Sequence, residues 1–316
     1  MKRISTLLIL LFILISCAPV QTPQSLPSVK STVFKPIPTS TSTPIPVQLF
    51  STSTPVACDP FPVDFCIIDG HFILQRPVKP PAKDSVDPTY RYGSTANGTR
   101  DPHHGVEFVN ESGTPVYATA DGEVIFAGPD EEAIYSPWRN YYGNLVVIEH
   151  NDELFTLYAH LSQINVQAGQ KVLAGDKVGE IGRTGVAIGS HLHFEVRHGD
   201  VQDYFATQNP ELWLAPNKDE SGKLLGALMI SIIDQGFVLQ YAEFTIDYHL
   251  DRNKPRVKSY YVVTYARNMM TGDENAALGD LPAGDYRIAL KYNGQLYERW
   301  VEVESGKLTQ VVLVVK

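Results

Sequence analysis

Cysteine is scarce in this chain, with three in 316 residues. That excludes a disulfide-dense scaffold. Cys58 and Cys66, seven residues between them and no His nearby, make a poor zinc signature. An excess of positive charge is also lacking: 26 Lys and Arg stand against 35 Asp and Glu, for a net charge of -9. A nucleic-acid binder needs a basic face for phosphate, so that class is excluded as a partner. The apolar run Leu7 to Ile15 spans nine residues, short of the roughly 20 a bilayer crossing requires. What is present is 43% apolar residues in a length that suits two modest globular units plus extras.

Charge is unevenly placed. The first 57 residues hold Lys2, Arg3, Lys30 and Lys35 and no acid, leaving -13 for the other 259. Lys2 and Arg3 followed by the apolar run read as a secretory leader. Leu14-Ile15-Ser16-Cys17 resembles a bacterial lipobox, which implies cleavage before Cys17 and a lipid on it. The competing reading is an ordinary secretory signal with an incidental Cys. Several acyl chains on one Cys would hold a protein on a membrane, at about 0.8 kcal/mol per buried methylene. Residues 18–57 contain Pro, Ser or Thr at 22 of 40 positions and are read as a disordered linker, biased by proline toward extended polyproline II. An oxidising exterior favours a disulfide between Cys58 and Cys66 over two free thiols.

From about residue 114 the chain reads as short strands broken by Gly, with no long 3.6-residue period, and so as an antiparallel, mostly β domain. Asp121-Gly122, between Val116–Ala120 and Glu123–Ala127, is a hairpin signal. Gly179, Gly182 and Gly185 miss the G-x-G-x-x-G spacing, so no dinucleotide site is implied. His191-Leu192-His193 sits on an expected strand, where residues two apart share a face. Leu192, Phe194 and Val196 then face the core. Two imidazoles side by side suit a metal and a neighbouring acid–base group. His160 ends the run Thr156–Leu161, and His103 stands four before Glu107 with Gly105 between. His71, His150, His198 and His249 read as surface residues.

The ordered set is specific. His103-x-Gly105-x-Glu107, then Gly113-Thr-Pro-Val-Tyr-Ala, Tyr142-Gly-Asn, Tyr158-Ala-His-Leu, Gly182-x-Thr-Gly and His191-Leu-His-Phe-Glu-Val resembles the lysostaphin/LytM-type zinc endopeptidases, which carry the duplicated hybrid motif fold. The resemblance covers about residues 71–200. It implies a zinc-dependent hydrolase that cuts peptide bonds in peptidoglycan, with a groove over an antiparallel sheet. It implies His103, Glu107 and His193 as metal ligands and His191 and His160 as the two non-ligand histidines, His191 as general base. Glu107 departs from the family's Asp, and two consequences stand: normal zinc binding with altered geometry, or weak binding in a wall-binding or amidase-activating module. His104 is a further candidate ligand, set against by Gly105 lying two after His103.

From about residue 224 seven runs read as strands: 228–233, 237–241, 244–248, 260–265, 286–292, 300–303 and 309–315, a β-sandwich pattern. Leu281-Pro-Ala-Gly-Asp-Tyr-Arg287 and Val301-Glu-Val303 resemble prealbumin-like, carboxypeptidase-regulatory modules. The expected architecture is all-β: a leader at 1–17, a linker at 18–57, an antiparallel LytM-like catalytic domain at 58–215 and a sandwich at 216–316. The expected setting is extracytoplasmic, lipid-anchored to the bacterial membrane, with peptidoglycan and a wall-assembly protein as partners.

Overall fold

The computed structural model describes residues 58–151, 153–266, 269 and 274–316. Cys17 and the leader and linker readings lie outside these residues. Among the described residues nearly all regular structure is β, with a 3-10 turn at Pro210–Leu212. Short strands follow from the composition: β-branched and aromatic runs cut by glycines that take left-handed φ, among them Gly113, Gly143 and Gly185.

The first large sheet has seven strands. Its path runs β11 (Thr207–Gln208), β10 (Leu192–His198), β6 (Leu154–Ala159), β5 (Asn144–Glu149), β4 (Gly122–Pro129) and β8 (Lys171–Val172), with β2 (Val106–Phe108) also paired to β10. Every pairing in it is antiparallel. All six residues of β6 are buried, because both faces of this central strand are covered. One face meets a three-stranded sheet of β3 (Pro115–Tyr117), β9 (Lys177–Ile181) and β7 (Leu161–Ile164), joined through Val116, Leu161, Val178 and Ile181. The other face packs Leu145, Val147, Leu157 and Ala159 against Tyr135, Tyr142 and Tyr204.

The Asp121-Gly122 hairpin does not form. β3 pairs with β9 and β4 with β5 and β8, so the chain changes sheets at this dipeptide. Asp121 is tied elsewhere: its Oδ1 accepts from the Ala174 N–H and its carbonyl from His150 Nδ1. A Cβ on Gly122 would stand 2.3 Å from the Glu149 carbonyl oxygen, so close strand contact needs Gly there. His150 is likewise not a surface residue. It is 9% exposed, with Nε2 2.8 Å from Thr156 Oγ1.

The C-terminal strands form two further sheets. One is β1 (Cys66–Ile68), β19 (Leu308–Val315), β12 (Gly226–Asp234) and β13 (Phe237–Val238), with β16 (Ala276–Leu281) paired to β12. The other is β15 (Arg256–Val263), β14 (Glu243–His249), β17 (Gly284–Tyr292) and β18 (Gln295–Val303). Leu228, Ile230 and Ile232 of β12 alternate into the space between the sheets and meet Phe244, Ile246, Ile288 and Leu290. The Cys58–Cys66 disulfide, Cα atoms 5.8 Å apart, ends on the first residue of β1, which pairs antiparallel with β19. β16 and β1 were absent from the sequence reading. β16 is Ala-Ala-Leu-Gly-Asp-Leu, weak in β-formers, and takes its shape from pairing with β12.

Candidate active site

Strand β10 divides its side chains by parity. Leu192, Phe194 and Val196 are fully buried in the main core, while His193, Glu195 and Arg197 lie on the other face. β2 runs antiparallel beside it with Glu107 directly opposite His193. Directly opposed residues share a face, so the pairing itself places the carboxylate beside the imidazole. Gly105 permits the approach of this segment: a Cβ there would sit 2.4 Å from the Phe194 carbonyl oxygen. His103 is fixed by backbone bonds from its N–H to Ser94 and from Gly93 to its carbonyl. Tyr90 stacks on its ring, centroids 4.0 Å apart.

His160 follows β6 where the chain leaves one sheet for the next. Its φ of +62° is left-handed, a strained conformation that its backbone N–H to the Tyr142 carbonyl helps hold. Across from it, Gly143 and Gly185 meet back to back at positive φ. A Cβ on Gly143 would stand 2.4 Å from the Gly185 nitrogen. This contact sets the Thr184 carbonyl that receives His160 Nδ1 at 2.9 Å.

The structure thus brings together all five residues singled out from the sequence. His103, Glu107, His160, His191 and His193 line one cleft of about 430 Å³. Each imidazole has one nitrogen committed. His103 Nδ1 donates to the Tyr90 carbonyl at 2.9 Å, His160 Nδ1 to Thr184, and His191 Nδ1 to Gly189 at 3.0 Å. His193 Nε2 lies 3.0 Å from Glu195 Oε1. A carbonyl or carboxylate only accepts, so these contacts place a hydrogen on the named nitrogen of each ring and leave the opposite nitrogen to the cleft or to a neighbour. His103 Nε2 and His193 Nδ1 then face each other at 3.1 Å.

Two buried ring nitrogens at that separation can share a proton or a metal ion. Ligands on a tetrahedral zinc stand about 3.4 Å apart for bonds of 2.0–2.1 Å. The His103–His193 pair meets that spacing, and Glu107 Oε1 is 3.9 Å from His103 Nε2. Among the described residues no three such side chains are already gathered as a complete metal site. Glu107 is the donor that stands wide, also 3.6 Å from His191 Nε2. The donor chemistry, two imidazoles and a carboxylate, fits a zinc that keeps an open position.

Burial, helped by neighbouring histidines, holds His103, His160 and His191 neutral. His103 is pushed well below its ordinary value by burial and then by His193. His160 is lowered to about 3 by burial, His193 and His191. Burial also lowers His191, against the pull of Glu107.

Behind His193 lies a network the sequence reading missed. Glu195 is fully buried; burial pushes its carboxyl up, but Arg197 and His193 outweigh this and hold it below the usual range. Its Oε2 accepts from Arg197 Nε at 2.9 Å and Nη2 at 2.7 Å, and its Oε1 from the Tyr142 hydroxyl at 2.6 Å. Arg197, also fully buried, donates further to the Val201 and Tyr135 carbonyls. The signal was present: 193, 195 and 197 share a parity. His104 faces away from the cleft, its ring stacked on Tyr204 at 3.7 Å.

Residues 101–204 match the model described as Peptidase family M23. The chain is 43% identical over 97 residues to the peptidoglycan DD-endopeptidase ShyA of Vibrio cholerae, covering 30% of this chain and 20% of that protein. It is 30% identical over 161 residues to the murein hydrolase activator NlpD of Salmonella dublin, covering 51% of this chain and 34% of that protein. The chain therefore spans only a fifth to a third of these relatives' length. A crystal structure described as a zinc containing peptidase from Vibrio cholerae aligns with 35% identity and a TM-score of 0.32, over 42% of this chain and 40% of that one.

Proposed function

With residues 101–204 forming a peptidase family M23 domain, we propose that the protein is a zinc-dependent endopeptidase that hydrolyses peptide bonds in peptidoglycan. The observation that carries this reading is the pair of ring nitrogens, His103 Nε2 and His193 Nδ1, held 3.1 Å apart in a cleft that Glu107, His160 and His191 also line. His103, His193 and Glu107 would hold the metal. Zinc bound there supplies Lewis acidity and activates water near neutral pH.

The chain's own groups divide the remaining work. His191 offers Nε2 to the cleft while Nδ1–H is anchored on the Gly189 carbonyl, so it can take the proton of an attacking water and return it to the leaving amine. Neutral His160, its Nδ1–H given to Thr184, accepts at Nε2 and orients that water. Glu195 fixes the tautomer of His193.

A second reading is supported by Glu107 standing wide of the pair and by the activators among the relatives. On it, the same fold binds the wall or activates an amidase without cutting. Incubating the intact protein with purified peptidoglycan, with and without chelator, tests the choice. Release of new amino termini that chelation abolishes is expected. No release at any zinc concentration rejects the enzyme. Action on peptidoglycan would set the protein outside the cytoplasm, and the lipobox-like Leu14-Ile15-Ser16-Cys17 supports lipidation at Cys17. Mass spectrometry of the mature N-terminus tests that part.

A further inference from the structure

The cleft does not end at the histidines. Arg100 and Asp101, on its rim, also line a second trough of about 770 Å³ between the 93–102 segment and the sheet of β14 and β15. On that sheet β15 is the edge strand, and its outward side chains are largely exposed. Two tyrosines present their rings here, Tyr261 at 61% and Tyr241 at 54% exposure. Glu243 lines the trough beside Tyr261. Tyr241 sits at φ +55°, a conformation costly for a bulky residue and found where the surroundings hold it. The facing wall supplies neutral hydroxyl and amide groups from Ser94, Thr95 and Asn97.

We propose that this trough binds the amino-sugar backbone of the polymer whose peptide enters the cleft. The proposal rests on the peptidoglycan reading above and names a subsite for it. Sugar rings offer flat C–H faces to exposed aromatic rings and hydroxyl or amide groups to polar neighbours, and the trough pairs these two surfaces. Glu243, Arg100 and Asp101 complete the lining and add charged hydrogen-bonding groups for sugar hydroxyls and acetamido groups, and binding of a peptide in their place is an outcome the test below separates. The -9 net charge of the chain does not oppose an uncharged sugar. Continuity through Arg100 and Asp101 keeps the two sites within reach of one substrate.

Calorimetric titration of the intact protein in chelator, with a β-1,4-linked N-acetylglucosamine tetramer and separately with a stem tetrapeptide, tests this. Chelation stops turnover, so sugar binding is read independently of whether the cleft cuts peptides; failure of the peptidase reading would show instead as absent peptide release. The wild type is expected to bind the sugar, and the Tyr241→Ala/Tyr261→Ala double variant to bind it about tenfold or more weakly. Tyr261→Phe, which keeps the ring, should bind within about threefold of wild type and controls for folding. No sugar binding, or binding that the double variant retains, overturns the proposal. So does a double variant that loses the stem peptide but not the sugar, since the trough would then be a peptide site.

Discussion

Glu195 Oε1 lies 3.0 Å from Nε2 of His193, and this contact decides which nitrogen of His193 faces the cleft. Nδ1 is left to meet His103, and the metal-binding character of the site follows from that choice.

Metal content should track the ligands. Wild-type protein is expected to purify with close to one zinc, and Glu107→Asp to keep it, since the ligand group is unchanged. His193→Ala should carry none. Elemental analysis of the three proteins side by side is the check; zinc retained by His193→Ala would remove that residue from the site.

Loss of the carboxylate behind His193 should act on both affinity and stability. Glu195→Gln keeps the shape but drops the charge, and zinc affinity should fall about 10–100-fold in competition with a chromogenic chelator. Glu195→Ala leaves Arg197, fully buried, without its carboxylate. That should cost about 3–5 kcal/mol, read from urea unfolding midpoints.

His150 should make the fold acid-sensitive. Burial lowers its protonation in the folded chain, partly opposed by Asp121 through its carbonyl and its charge. Protonation is therefore easier after unfolding, where the ordinary value is about 6.5. The stability it supports is fully present above that value and drains away as pH falls toward the lower folded one. His150→Gln should remove this increment. Urea midpoints of both proteins from pH 8 to 5 should converge as pH falls; parallel curves would show that His150 does not titrate in this way.

Gly143→Ala should disturb a site it never touches with a side chain. Its φ of +64° disfavours any Cβ by about 1–2 kcal/mol, and the added atom would also press on the Gly185 backbone. Displacing Gly185 moves the Thr184 carbonyl that orients His160. A lower thermal midpoint together with a reduced rate of peptide release is expected, while zinc content stays near wild type.

Much of the site was legible because it is local. His191, Leu192 and His193 declare a strand with two faces, and an ordered series of short motifs supplied His103, Glu107 and His160. Glu195 and Arg197 obey the same parity but were passed over, since buried charges are recognisable only once their partners are known. Tyr142 reaches Glu195 across 53 positions, and Tyr90 stacks on His103 from a loop without periodic pattern. The Asp121-Gly122 turn misled for a related reason. Its dipeptide fits a hairpin, but the strands on either side found better partners in different sheets.

By itself the sequence determined the all-β character, the alternation that sends Phe194 inward and His193 outward, and the histidines worth watching, because these depend on side-chain period and residue type. Only the tertiary structure decided that Glu107 would stand opposite His193, that His103 Nε2 would face His193 Nδ1, and that β15 would line the trough adjoining the cleft. Those are register and packing outcomes: they depend on which strands pair, and pairing is settled by the whole buried surface at once.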